Sequence, residues 1–156
     1  MKKVFIGLSM ILCLLTAYNC SQPKDPAAYN NELMTVINDN EKHINDMNAA
    51  MTAADYSKAS EVRKAWETSL SEQIAKVEKA GDFNGDEVLQ KGILSGLKAY
   101  QKIVTDDYPK LIDIRANKKE DPQTEQQLLE NINNAFETAA NDVNKASNDF
   151  ESKYAK

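Results

Sequence analysis

Apolar residues recur at intervals of three and four along four successive stretches of the chain, and no stretch alternates residue by residue as a half-buried strand would. The first seam runs Tyr29, Leu33, Val36/Ile37, Ile44, Met47, Met51 and Ala54, with one gap where Asn40 falls on the apolar face. Asp25-Pro26 opens it, a carboxylate cap followed by a proline at the first helical position, and it is expected to end near Ala54. A second helix, capped by Asp55 or Ser57, carries Val62, Ala65/Trp66, Leu70, Ile74, Val77 and Ala80, with Gly81 placed to end it in a left-handed conformation. The third starts after Asp82-Phe83-Asn84-Gly85, where Asn84 and Glu87 have the spacing of a capping box. Its seam is Leu89, Ile93, Leu97, Tyr100, Val104, Tyr108, Leu111 and Ile114/Arg115. Asp121-Pro122 repeats the opening signal, and the fourth seam runs Leu128/Leu129, Ile132, Phe136, Ala139, Val143, Ala146, Phe150 and Tyr154.

Short polar turns between long amphipathic helices favour antiparallel neighbours. The predicted fold is all-α, an antiparallel up-down four-helix bundle with helices about 40 Å long at 1.5 Å per residue. Pro109 lies inside the third seam without disturbing its register. A proline removes a backbone donor and clashes with the preceding turn, so a kink or a one-turn break is expected there. Ala49, Ala50, Ala53, Ala54, Ala135, Ala139, Ala140 and Ala146 let parts of the bundle pack closely. Asn40 on the seam reads as a buried polar residue that fixes helix register. Trp66 reads as a core anchor.

Ahead of the helices the pattern changes. Lys2 and Lys3 precede an uncharged apolar run from Val4 to about Ala17, the build of a secretory signal peptide. The run is too short for a membrane span of about 20 residues. Cys20 stands where processing would occur and resembles the lipidated cysteine of bacterial lipoproteins, although Asn19 replaces the small residue usual before it. Cys13 lies within the apolar run, so Cys20 would be the single cysteine of the mature chain, and acylation accounts for it. The expected organisation is a lipoprotein signal peptide over residues 1–19, a lipid anchor and short tether over 20–25, and the helical domain over 26–156. Acyl chains would anchor the protein to a membrane without spanning it, and Ser21 after the cysteine favours the outer membrane, on its periplasmic or surface face.

Charge narrows the choice of partner. Loss of Lys2 and Lys3 with the leader leaves 17 basic residues against the 24 acidic ones, a formal charge of −7. Basic runs go no further than Lys118-Lys119, and Arg63 and Arg115 are the two arginines. Nucleic-acid binding needs a cationic stripe, so nucleic acid is not an expected partner. The abundant asparagine reads as composition plus a solvated surface.

Candidate chemistry is sparse. His43, the single histidine, has Asp39 and Asp46 one turn away on either side, a spacing that places imidazole and carboxylates on one face. A di-iron bundle requires two Glu-x-x-His motifs, and Asn40 stands where the glutamate would be. Asp82, Asn84 and Asp86 have the alternate spacing of a calcium loop, but Gly85 is out of position and Ile93 occupies the closing glutamate position. Helix capping explains these residues better. Nucleophile elbow, Walker loop and dinucleotide fingerprint are all missing. No metal, no cofactor and no catalytic residue is assigned, and the chain is not expected to be an enzyme.

Tyr29-Asn30 soon after the cysteine, Phe83-Asn84-Gly85-Asp86, Leu97-Lys98-Ala99-Tyr100 and Tyr108 through Ile112 resemble a family of small helical surface lipoproteins typed from a Leptospira protein and also found in Bacteroidetes. The resemblance covers Tyr29 to Ile114. It implies an exported helical lipoprotein and carries over no catalytic or binding residue. The expected role is non-catalytic binding or structural support at the envelope, toward an envelope or host macromolecule. The alternative is a carrier holding a small ligand or cofactor between helices near Pro109, in a cavity lined by Trp66, Tyr100 and Tyr108. A holdase-like role would need a large exposed apolar patch, and the seams are too narrow to leave one.

Overall fold

Aspartate side chains cap the starts of three of the six α-helices among the described residues. The structure, a computed structural model, describes residues 24–154. Cys20 and the signal peptide expected over 1–19 lie outside the described residues. The order is α1 (Pro26–Asn38), α2 (Glu41–Thr52), α3 (Tyr56–Ala80), α4 (Val88–Lys102), a π-helical turn (Ile103–Asp107), α5 (Tyr108–Ala116) and α6 (Pro122–Tyr154). The fold is all-α; among the described residues the one β feature is an isolated Phe83–Asp86 bridge. Asp25 accepts from Ala28 N at 2.8 Å, Asp55 from Lys58 N at 2.9 Å and Asp121 from Thr124 N at 3.1 Å. Asp55, not Ser57, is therefore the cap of α3.

Three boundaries depart from the sequence expectation. The first seam is two helices, not one. Asn40 Nδ2 donates to Ile37 O at 3.0 Å and Val36 O at 3.4 Å, competing with the backbone for the carbonyls three and four residues back. α1 stops, and α2 starts anew after Asp39-Asn40. Asn84 and Glu87 form no capping box: Asn84 has φ +53°, and Asp86 accepts from Val88 N at 2.9 Å, so α4 begins later. Gly81 ends α3 with φ 67° and ψ −169°, not in the left-handed helical well but in a region essentially restricted to glycine.

The interruption at Pro109 takes a third form. Tyr108 N–H reaches back five residues to Ile103 O, so the wide turn precedes the proline and the chain stays helical from α4 into α5. In that register the carbonyl of Val104 would take the N–H that Pro109 lacks. Arg63 of α3 supplies it instead, donating to Val104 O at 3.2 Å while pairing with Glu67 at 2.6 Å.

The core holds most of the expected seam residues, with Leu33, Met47, Trp66, Leu70, Val77, Leu89, Ile93, Leu97 and Val104 fully buried, whereas Ala54, Ala65 and Leu129 of the same seams are exposed. α6 packs most extensively along α4. Glycine makes that approach possible: a Cβ on Gly92 would overlap the Cβ of Ala146, and one on Gly96 would lie 2.9 Å from Val143 Cγ2 and 3.3 Å from Ile37 Cδ1. At one end Tyr29, Phe83, Phe150 and Tyr154 cluster with ring centroids 4.8–5.7 Å apart. Lys24 Nζ donates there to Ala80 O and Asp82 O at 2.7 and 2.6 Å, Tyr29 OH to Gly81 O at 2.6 Å, and Lys153 Nζ and Tyr154 OH to Asp86 at 2.6 and 3.1 Å. At the far end Arg115 Nε holds Glu125 at 2.7 Å.

Two substitutions test this packing. Gly92→Ala is expected to destabilise the fold by about 1–3 kcal/mol through overpacking, and adding Ala146→Gly should restore part of the loss in urea denaturation. Asn40→Ala removes the partner of two buried groups, and at about 1–3 kcal/mol for each unsatisfied group its denaturation midpoint should fall well below that of a surface control, Asn141→Ala.

Candidate functional site

α6 is drawn onto α4 by Gly92 and Gly96, and α2 packs against α3. The space between α1–α2 and α6 is left partly unfilled. It forms three hollows in a row: about 540 Å³ between Pro26 and Tyr154, about 300 Å³ around Ile44, Tyr100 and Val143, and about 500 Å³ among Ile44, Met51, Tyr108, Leu111, Ile132 and Phe136. Ile44 lines both of the last two, and the three hollows together make up the groove between α1–α2 and α6. The floor is apolar and aromatic. Its edges are carboxamides: Asn30, Asn31, Asn38 and Asn48 on one side, Asn133 and Asn144 on the other. Leu129, one of two exposed large apolar side chains among the described residues, stands on the α6 edge at 37 % exposure. Asp25, Glu41 and Glu151 also line the groove, and the guanidinium of Arg115 is already paired with Glu125. The groove therefore presents apolar surface between amide and acidic edges.

Beneath it lies a closed polar knot. Asn40 is fully buried; its Oδ1 accepts from Trp66 Nε1 at 2.8 Å, and its Nδ2 donates to Gln73 Oε1 at 2.8 Å. Gln73 Nε2 passes on to Ser69 Oγ at 3.2 Å. Trp66 is fully buried with Tyr100 and Tyr108 at ring-centroid distances of 6.0 and 6.1 Å. Burial pushes the Tyr108 phenol up to about 12 and also raises Tyr100, so both remain neutral. The three aromatics expected around a ligand cavity pack against one another: Trp66 lines none of the three hollows, while Tyr100 and Tyr108 contribute to the groove floor.

The histidine cluster does not form a ligand set. His43 is half-buried and stacks on Trp66, with centroids 6.2 Å apart and planes 7° from parallel. Asp46 pairs with Lys42, and Asp39 lies in the turn after α1. Burial lowers the imidazole pKa, Lys42 adds to the effect and Asp46 opposes it. At the calcium-like spacing, Asp82 accepts from Gly85 N at 2.7 Å, and Asp86 is occupied by Val88, Lys153 and Tyr154. Those bonds hold the Asp86 carboxyl below the usual carboxylate range. Among the described residues no three His, Cys, Asp or Glu side chains group as a metal site would require. No described helix is long and apolar enough to cross a membrane.

Comparison of the chain with protein-family models, with curated proteins and with solved structures finds no match.

The sequence reading missed the groove because its walls come from helices about a hundred residues apart. Two signals were present: the Gly92-x-x-x-Gly96 spacing, which permits close helix approach, and asparagines recurring on the flanks of two different seams.

The His43 shift sets a pH dependence. Above the unfolded value of 6.5 the imidazole is neutral in both states. As pH falls through 6.5 the unfolded chain takes up its proton first, so stability declines until the folded pKa is passed and then levels. Urea midpoints should drop between pH 7.5 and 5, and His43→Gln should flatten that part of the profile.

Proposed function

We propose that the chain is a lipid-anchored envelope protein with a non-catalytic binding role, and that the groove between α1–α2 and α6 seats a partner helix. In this reading α1–α2, α3, α4 with α5, and α6 are the four members of an antiparallel up-down bundle. Support comes from the side-chain bonds at its two ends, Tyr29 to Gly81 and Lys153 to Asp86 at one and Arg115 to Glu125 at the other. The anchor is Cys20, acylated after removal of residues 1–19, and the favoured location is the outer membrane. The resemblance to the surface lipoproteins typed from Leptospira belongs to the same proposal.

The observation that carries the binding role is the groove itself. An amphipathic helix docks by laying its apolar face into such a channel. The acidic edge residues Asp25, Glu41 and Glu151 and the mature charge of −7 favour a helix flanked by lysine or arginine.

A synthetic amphipathic helix of about 18 residues, roughly 27 Å long, with lysine flanks is the probe. Fluorescence anisotropy should show binding that weakens about tenfold, the equivalent of 1.4 kcal/mol, in Leu129→Asp. Equal binding of a glutamate-flanked version, or no effect of Leu129→Asp, would overturn the assignment. A long-chain fatty acid that binds where the peptide does not would transfer the groove to the carrier reading. The anchor is tested separately. N-terminal mass spectrometry of membrane-fraction protein should find an acyl mass on Cys20 that Cys20→Ser abolishes.

A further inference from the structure

Of the chain's asparagines, Asn84 alone is followed by glycine. The carboxamide of an asparagine is open to attack by the backbone nitrogen of the next residue, and glycine leaves that nitrogen unshielded. The pair forms the tip of a two-residue turn. Phe83 and Asp86 exchange N–H···O bonds of 2.8 and 2.9 Å on either side of it, and φ is +53° at Asn84 and +90° at Gly85. Asn-Gly favours this mirror-image turn. Both residues are exposed, and a Cβ on Gly85 would meet no atom within 4 Å, so no neighbouring side chain covers the reacting groups. Asn48, Asn134 and Asn141 instead lie inside helices, where the following N–H is bonded to a carbonyl.

One contact restrains the pair. Gly85 N–H, at the nitrogen that would attack, donates to Asp82 Oδ1 at 2.7 Å. Attack requires that nitrogen to give up its proton, and a carboxylate against it opposes the negative charge that results. The same turn holds both ends of the described chain: Tyr29 OH bonds to Gly81 O, Lys24 Nζ to the carbonyls of Ala80 and Asp82, and Lys153 and Tyr154 to Asp86. A change of backbone length between Phe83 and Asp86 would disturb contacts to α1 and α6 together.

We propose that Asn84 is a site of slow, spontaneous deamidation whose rate Asp82 restrains. Gly85 N bonds to Asn84 Cγ, the Cγ–Nδ2 bond breaks, and ammonia leaves with the proton from Gly85 N, giving a succinimide. Water then opens the ring. Addition at Cγ yields aspartate; addition at the α-carbonyl yields isoaspartate, with an extra methylene in the main chain. Either product places a new carboxylate beside Asp82 and Asp86, and the isoaspartate form loses the Phe83–Asp86 register. The modification thus loosens this end of the fold as the protein ages.

The test ages the purified protein in mildly alkaline buffer and maps it by peptide mass spectrometry, with enzymatic methylation to count isoaspartate. Wild type should convert at Asn84 and not at Asn48, Asn134 or Asn141, and hydrogen exchange at the Phe83 and Asp86 amides should quicken in the aged sample. Asn84→Gly accepts the positive φ and has no carboxamide, so its exchange should not change with age. Asp82→Asn keeps an acceptor for Gly85 N–H and removes the charge. Conversion at Asn84 should then rise about fivefold, the difference between a charged and a neutral acceptor. The proposal is overturned if Asn84 stays intact, or if the helical asparagines convert as fast. It is equally overturned if Asp82→Asn leaves the rate at Asn84 unchanged or lowers it.

Discussion

The side-chain amide of Asn40 is the interaction on which the rest of the arrangement depends. It lies fully buried with every polar position engaged, accepting from Trp66 and donating to Gln73 and to two carbonyls of α1. A buried amide loses strong interactions with water and is tolerated only when each is replaced. Meeting that condition sets three things at once. It ends α1, it holds α2 against α3 through Gln73 and Trp66, and it fixes the indole that Tyr100, Tyr108 and His43 pack around. A substitution at this position therefore reaches the helix boundary, the interhelical spacing and the aromatic core together.

The groove follows from two opposed preferences. Gly92 and Gly96 let α6 settle onto α4 at a separation that side chains would forbid. The turn at Asn40 meanwhile directs α2 toward α3. Each choice improves packing locally, and between them the flank shared by α2 and α6 is left shallowly filled. The π turn adds to this by shifting the helical register, so that Tyr108 and Leu111 reach the groove floor while Asp107 closes the opposite side. Arg63 makes the wide turn tolerable by bonding the carbonyl that the proline leaves without a donor.

What could be read from the sequence was what is local. Leu33, Trp66, Leu97 and Phe150 are buried as their spacing required, because helical periodicity reports burial directly. The caps at Asp25 and Asp121 were legible, and Asp55 was one of two candidates with Ser57, since each bond spans three residues. The break at Asn40 was not, although its burial was, because the groups that complete its shell lie 26 and 33 residues onward. The Asn84–Glu87 spacing misled for a similar reason: the Phe83–Asp86 bridge turns the chain there before a helix can begin. Asparagines that looked like bulk composition line a channel only once α1–α2 and α6 are side by side.

Both ends of the described chain are fastened to one internal turn. Lys24 holds the carbonyls of Ala80 and Asp82, and Lys153 and Tyr154 hold Asp86. Tension arriving through the chain ahead of Lys24 is thus handed to the middle of the polypeptide before it can peel α1 away. Bonds in parallel, backed by the ring cluster of Tyr29, Phe83 and Phe150, share such a load, and a domain built this way behaves as a mechanical clasp closed on its own chain at Lys24.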